Sequence, residues 1–391
     1  MSTAEFDTLD RSLSSAGPSE ALAELIRILE ERGDSRGLLD AMLLKARHEL
    51  GLPLVQSGTL ADIPEPERTQ FEERYVDAIR HVGQRLLAAG EIGAAWPYFR
   101  AIAEKEAVAA AIEAFEPVDD GTDERLGQVI EVAFNQGVAP AKGFALILEH
   151  YGTCSAISAF EGLPPDEATR VAAAERLVRR LHADLTLNLR AEISRRGQPL
   201  PPEGASIRDL IEGRDWLFID DAYHLDVSHL AATVRLGPML LDREILSLAV
   251  DLTEYGRRLS ERHRYEGDEP FEDTYEDHRV YLRALLGIDE DAAVDHFRAK
   301  LGPIDPDRRD EAIAAQVLVR LLVRLGRVEE AIDVAAERLG HLPDAALGCP
   351  SAPQLCQKLG QPDRLAAIAR QRGDLVNYTA ALLASGQPGR L

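Results

Sequence analysis

With 391 residues, 45% hydrophobic and 28% charged, the chain has a globular composition and length for two or three domains or one elongated helical array. A formal charge of −23, with no basic patch interleaved with aromatics, excludes nucleic acid as a partner and disfavours an anionic membrane surface. Ala, Leu, Arg and Glu dominate and β-branched runs are nearly absent, so helix is expected and a large sheet is not.

From the N-terminus, "GPSEALAELIRILEERGD" opens on Ser19 as a cap signal. Leu22, Leu25, Ile26 and Leu29 follow at helical spacing, and Gly33 ends the element. "RGLLDAMLLKARHELG" predicts a second helix, closed by Gly51 and Pro53. After the turn-rich "LADIPEPERTQ", Pro66 reads as the first residue of a third helix. "FEERYVDAIRHVGQRLLAAG" and "GAAWPYFRAIAEKEAVAAAIEAF" continue the helical pattern.

The middle, from 120 to 300, is irregular in segment length and rich in polar residues. "LILEHYGTCSAIS" ends an apolar helix at Glu149 and His150, and Gly152 breaks it. His150 sits four residues from Cys154, spacing that would let it serve as a base to a thiol nucleophile, while a helix C-terminus favours a histidine in any case. A long helix, "DEATRVAAAERLVRRLHADLTLNLRAEISRRG", carries His182, Asp184, Asn188 and Arg190, which a solvated polar stripe accounts for. Then comes "DDAYHLDVSHL". In one continuous helix His224 and His229 would lie about 140° apart, on different faces. If Asp226 is instead the N-cap of a helix through "VSHLAATVRLG", His224 sits in the preceding loop and His229 on the first turn, at N3. The imidazoles can then converge with Asp221 or Asp226, a set suited to Zn, Fe or Mn. The plain alternative is that Asp226 only caps, and the histidines pair with acids or face solvent. "RYEGDEPFEDTYEDH", with His263 and His278, lacks the alternating ligand order of a calcium loop. It reads as an acidic surface loop, or a lid over the central site, anchored by Pro270 and Phe271. Tyr275 and His278 are the residues placed to turn inward.

Toward the other end, "LVRLLVRLGRVEEAIDVAAERLGHLP" (318–343) sets Leu325 and Gly326 at a turn, Ala331 five residues beyond the glycine and Pro343 at the close. This segment resembles a tetratricopeptide repeat. Glycine permits the tight turn, alanine lets the second helix approach the first, and proline cannot continue it. The same spacing recurs more loosely at Gly33–Leu38, Gly90–Ala95 and Gly360–Leu365, so the resemblance covers roughly 20–115 and 310–385 and omits the middle.

Cys154, Cys349 and Cys356 cannot all pair within one chain, so a reducing cytoplasm is expected, with Cys349 and Cys356 as buried thiols. The opening "MSTAEFDTLDRSLSSAG" lacks the basic and apolar regions of a secretory leader. No run approaches the roughly 18 apolar residues of a membrane span. Phosphate-binding GxxxxGKS, GxGxxG, GxSxG and CxxC pairs are absent, leaving nucleotide hydrolysis, dinucleotide chemistry and α/β-hydrolase chemistry without support.

The expected architecture is therefore all-α: antiparallel helix pairs forming a superhelix of tetratricopeptide-like character, with an irregular central helical insert. Expected regions are 1–118 (helical hairpins), 119–300 (the irregular module with His/Asp-rich loops) and 301–391 (tetratricopeptide-like repeats). Two functions follow. One is a binding scaffold whose concave acidic face takes a protein or peptide partner, a basic one by charge. The other is a metal-dependent enzyme or metal-binding protein, with His150, His224, His229, Asp221, Asp226 and Glu149 as candidate ligands for a divalent transition metal and Tyr151 and Cys154 nearby.

Overall fold

Short turns between amphipathic segments make neighbouring helices pack antiparallel, and a computed structural model shows this pattern along the chain. It describes residues 3–55, 59–117, 124–302 and 311–385; the expected region boundary at 118/119 lies outside them. The described residues form twenty α-helices and no named strand. They divide into two compact units, 1–152 with 158–170, and 153–157 with 171–391. No described helix is long and apolar enough to cross a membrane.

The first unit contains α1 (Thr3–Ala16), α2 (Pro18–Arg32), α3 (Ser35–Glu49), α4 (Glu67–Ala88), α5 (Ile92–Ala101), α6 (Glu106–Glu113), α7 (Glu124–Ile130) and α8 (Pro140–Leu146). From α1 to α6 each helix packs on the next. The cap of α2 is Gly17, with Pro18 at the first helical position, rather than Ser19; Gly33 closes it in the left-handed conformation, φ 67°. Pro66 stands at the cap position of α4 rather than at its first helical position, so the helix begins one residue later than expected. Two π-helical turns, Glu131–Asn135 and Ile147–Tyr151, follow α7 and α8 and widen the helix there. α9 (Gly152–Phe160) runs across the boundary in sequence between the units.

The long helix read from the sequence is α10 (Glu167–Arg195), which belongs to the second unit from Val171 onward. Val171, Ala174, Leu177, Leu181, Leu185, Leu189 and Ile193, all buried, recur every three or four residues along one face. After it come α11 (Ile207–Ile211), α12 (Val227–Val234), α13 (Arg243–Gly256), α14 (Thr274–Leu285) and α15 (Glu290–Ala299). The series ends with α16 (Glu311–Arg324), α17 (Val328–Leu339), α18 (Ala352–Leu359), α19 (Pro362–Arg372) and α20 (Leu375–Ser385). From α12 to α20 each helix packs on its successor. The α16–α17 turn falls at Leu325 and Gly326, where φ is 75°, and Ala331 is fully buried against the core of Leu318, Leu322 and Ile332. Cys349 and Cys356 are buried, and burial pushes the Cys349 thiol up to about 11.

The acidic segment before α14 departs from a solvated loop. A bridge between Glu266 and Asp273 closes it, and α14 begins at Thr274, three residues before the helical stretch read from the sequence. Tyr275, Asp277 and His278 are buried, with the Phe271 ring stacked on His278 at 4.1 Å. The carboxylate of Asp277 is not left bare: it accepts from Lys300 Nζ at 2.9 Å and from the Asp273 amide at 3.0 Å, and lies 2.7 Å from His296 Nε2.

Candidate functional site

The segment "DDAYHLDVSHL" divides where the cap reading placed the division. Asp220 and Asp221 both take left-handed backbone, φ 57° and 59°, and end a short 3-10 stretch. Asp226 then caps α12: its Oδ1 accepts from the Ser228 amide at 2.8 Å, the His229 amide at 3.3 Å and the Ser228 hydroxyl at 2.5 Å. The Ser228 hydroxyl does most to hold this carboxyl below the usual range. His229 is the third residue of α12, on its first turn.

His224 is held by a residue that sequence reasoning missed. Its backbone N–H donates to the Tyr255 hydroxyl at 2.8 Å, and its Nδ1 lies 3.0 Å from the same oxygen. One phenolic oxygen thus accepts from the amide and lies within hydrogen-bonding distance of the ring nitrogen of the same residue, so it fixes both the backbone and the ring orientation of His224. Burial lowers the pKa of His224 and raises that of Tyr255, both against the charged forms. Asn188 of α10 donates to the His224 carbonyl at 2.7 Å. Tyr255→Phe strands a part-buried amide and a ring nitrogen at once. The expected outcome is a loss of about 2 kcal/mol in urea unfolding at neutral pH, and a loss under about 0.5 kcal/mol would show the hydroxyl is not the anchor.

The remaining candidates are placed separately. Asp221 is exposed, 3.9 Å from Arg262. Glu149 and His150 are exposed on the second π turn and belong to the first unit, whereas the other four belong to the second. Tyr151 and Cys154 are exposed. Among the described residues, no group of three or more His, Cys, Asp or Glu side chains is gathered as a metal ion would need.

The polar stripe on α10 is only partly solvated. His182 Nε2 lies 3.2 Å from Asp251 Oδ2 of α13, and both side chains are largely buried. The same oxygen accepts at 3.1 Å from the Ile207 amide, which at the start of α11 has no carbonyl of its own helix to donate to. His182 and Asp251, with Thr186, Arg190, Ser206 and Ser247, line a cavity of about 540 Å³. Arg190 reaches the Pro202 carbonyl, and Thr186 Oγ1 is buried without a partner. The cavity therefore offers a hydroxyl and a guanidinium beside a His–Asp pair whose carboxylate is committed to holding three helices.

Two apolar surfaces also escaped sequence reasoning. In the first unit, Leu9 and Leu13 of α1, Leu22 and Leu25 of α2, Leu44 of α3, and Leu54 line a groove of about 270 Å³. Asp10 and His48 are its ionisable lining residues, and Leu13 and Leu54 are about half exposed. In the second unit, α20 has no charged residue and is packed inside out. Ala381 and Ala384 are buried, while Leu375, Val376, Leu382 and Leu383 are 77%, 80%, 53% and 70% exposed. The apolar doublets seven residues apart share one face, a signal present in "LVNYTAALLAS"; periodicity alone does not say which face is covered. Compared with protein-family models, with curated proteins and with solved structures, the chain matches none.

Proposed function

We propose that the protein is a helical-repeat binding scaffold of tetratricopeptide-like character, and that the leucine groove of its first unit takes a basic, amphipathic protein or peptide segment. The observation that carries this reading is the coincidence of groove and charge. Residues 1–170 hold thirty acids and fifteen bases, against thirty-seven and twenty-nine in residues 171–391, so −15 of the −23 falls in the first unit. A helix laid in an apolar groove gains affinity from its apolar anchors, and a surrounding acidic field selects and steers a basic partner. The α16–α17 hairpin, with Gly326 at its turn and Ala331 at the close approach, supports the repeat character.

The test is fluorescence polarisation with a labelled amphipathic helical peptide of leucine and lysine, beside a control peptide of lysine and glycine. Saturable binding of the first peptide, weakened on the order of tenfold by molar salt and abolished by Leu13→Glu, is expected. Leu13 is half exposed, so this substitution leaves the core intact. Equal binding of the two peptides, or indifference to Leu13→Glu, would remove the groove from the reading.

A further inference from the structure

We propose that the cavity lined by α10, α13 and the connection before α11 binds a free α-amino acid with an apolar side chain, its carboxylate on Arg190 and its ammonium on Glu203. The site lies wholly in the second unit and is independent of the leucine groove.

The walls divide by chemistry. Ala183 and Leu187 of α10 and Leu248 of α13 supply apolar surface, and Leu187 is 68% exposed, so a bound apolar group would cover it. A volume of about 540 Å³ is in the range of sites that take small molecules, which are mostly apolar with a few placed polar groups.

The polar groups divide into those already committed and those not. Asp251 is held by His182 and the Ile207 amide, and Ser206 exchanges hydrogen bonds with Asp209 in the cap of α11. These bonds fix the walls before a ligand arrives, which lowers the ordering cost of binding. Arg190 and Glu203 have no such commitment. Arg190 Nη1 donates to the Pro202 carbonyl at 3.1 Å, and among the described residues no carboxylate forms an ion pair with the guanidinium. Glu203 is exposed and likewise pairs with no base among the described residues. Pro202 immediately precedes Glu203, so the backbone bond brings the guanidinium beside the residue that carries the acid, yet the two charges do not meet. Neighbouring, unpaired charges of opposite sign in the lining of one cavity match a ligand that bears both charges on one carbon.

Net charge favours the same class. A chain of −23 repels a simple anion, while a cation alone would meet the Arg190 guanidinium. A zwitterion carries no net charge to oppose, and the planar guanidinium reads a carboxylate through two parallel hydrogen bonds.

The experiment is isothermal titration calorimetry of the full chain with L-leucine, L-valine and L-phenylalanine. Each is run beside its N-acetyl form, which lacks the ammonium, and its amide, which lacks the carboxylate. At least one free amino acid is expected to bind saturably at millimolar concentration or below. It should bind about tenfold more tightly than either blocked form, as the loss of one charge-assisted hydrogen bond implies. Arg190→Gln and Glu203→Gln should each weaken it by a similar factor, and Leu13→Glu in the first unit should leave its affinity unchanged. Far-UV circular dichroism checks that each variant is folded. If Arg190→Gln is not, Arg190→Lys, which keeps the charge and loses the planar fork, should still weaken binding severalfold. No binding of any of these amino acids, blocked forms that bind as tightly as the free ones, or indifference to both charge substitutions would overturn the proposal. Loss of binding in Leu13→Glu would move the site to the groove and overturn it as well.

Discussion

Gly256→Ala is expected to destabilise the second unit by about 3 kcal/mol, at the upper end of what overpacking by one methyl usually costs. Gly256 is the last residue of α13, and a Cβ built there would stand 2.2 Å from Cδ1 and 2.4 Å from Cε1 of Tyr275. That ring is 1% exposed and belongs to the first turn of α14, so displacing it disturbs the packing of α13 on α14. Alanine is the better helix former by about 1 kcal/mol, so any net loss understates the clash. Guanidinium unfolding of the purified variant measures it, with the midpoint falling and the slope unchanged. Gly127→Ala in α7 is the matched control, since a Cβ there meets nothing within 4 Å. Equal stability of the two variants would mean that α13 and α14 do not approach so closely.

The second large effect is a loss of stability in mild acid through His278. The imidazole is 2% exposed, stacked on Phe271, and its Nδ1 donates to the Thr274 carbonyl at 2.6 Å. Burial first, and repulsion by Arg235 further, bring its pKa from the ordinary 6.5 to about 4. The unfolded chain therefore binds a proton that the folded chain refuses. The stabilisation is complete above the unfolded pKa and is lost as pH falls from 6.5 toward 4. The loss attributable to this one group is about 2 kcal/mol by pH 5 and about 3 kcal/mol by pH 4. Denaturant unfolding at pH 7, 6, 5 and 4, repeated on His278→Gln, isolates it: the wild-type curve should fall more steeply than the variant's. Parallel curves would show that His278 titrates alike in both states.

Local chemistry was legible in the sequence wherever cause and consequence lie within a few residues. The turn at Gly326, the buried Ala331, the Asp226 cap with His229 at N3, and the apolar seam of α10 are all of this kind. What escaped depends on partners distant along the chain. Tyr255 lies 31 residues from His224, and Asp251 lies 69 from His182, so neither motif contains the group that determines its state. α1 was not foreseen because "TAEFDTLDRSLSSA" is largely polar. The α20 doublets were visible as apolar residues, yet only the packed structure shows that alanines took the inner side. In the acidic stretch, composition argued for solvent, but the His278–Phe271 stack and the Asp277–Lys300 pair draw three of its residues into the core.

Asp251 carries a consequence for how the second unit opens. α11 has five residues, too few to persist alone, and the amide of Ile207 at its start depends on a carboxylate from α13 that also engages α10. Fraying of α11 therefore cannot remain private to that helix: it frees the carboxylate, loosens His182 and couples three helices in one opening event. Exchange of the Ile207 amide with solvent deuterium would then follow a cooperative sub-global opening, so one short helix in a polar connection reports on the integrity of the surrounding bundle.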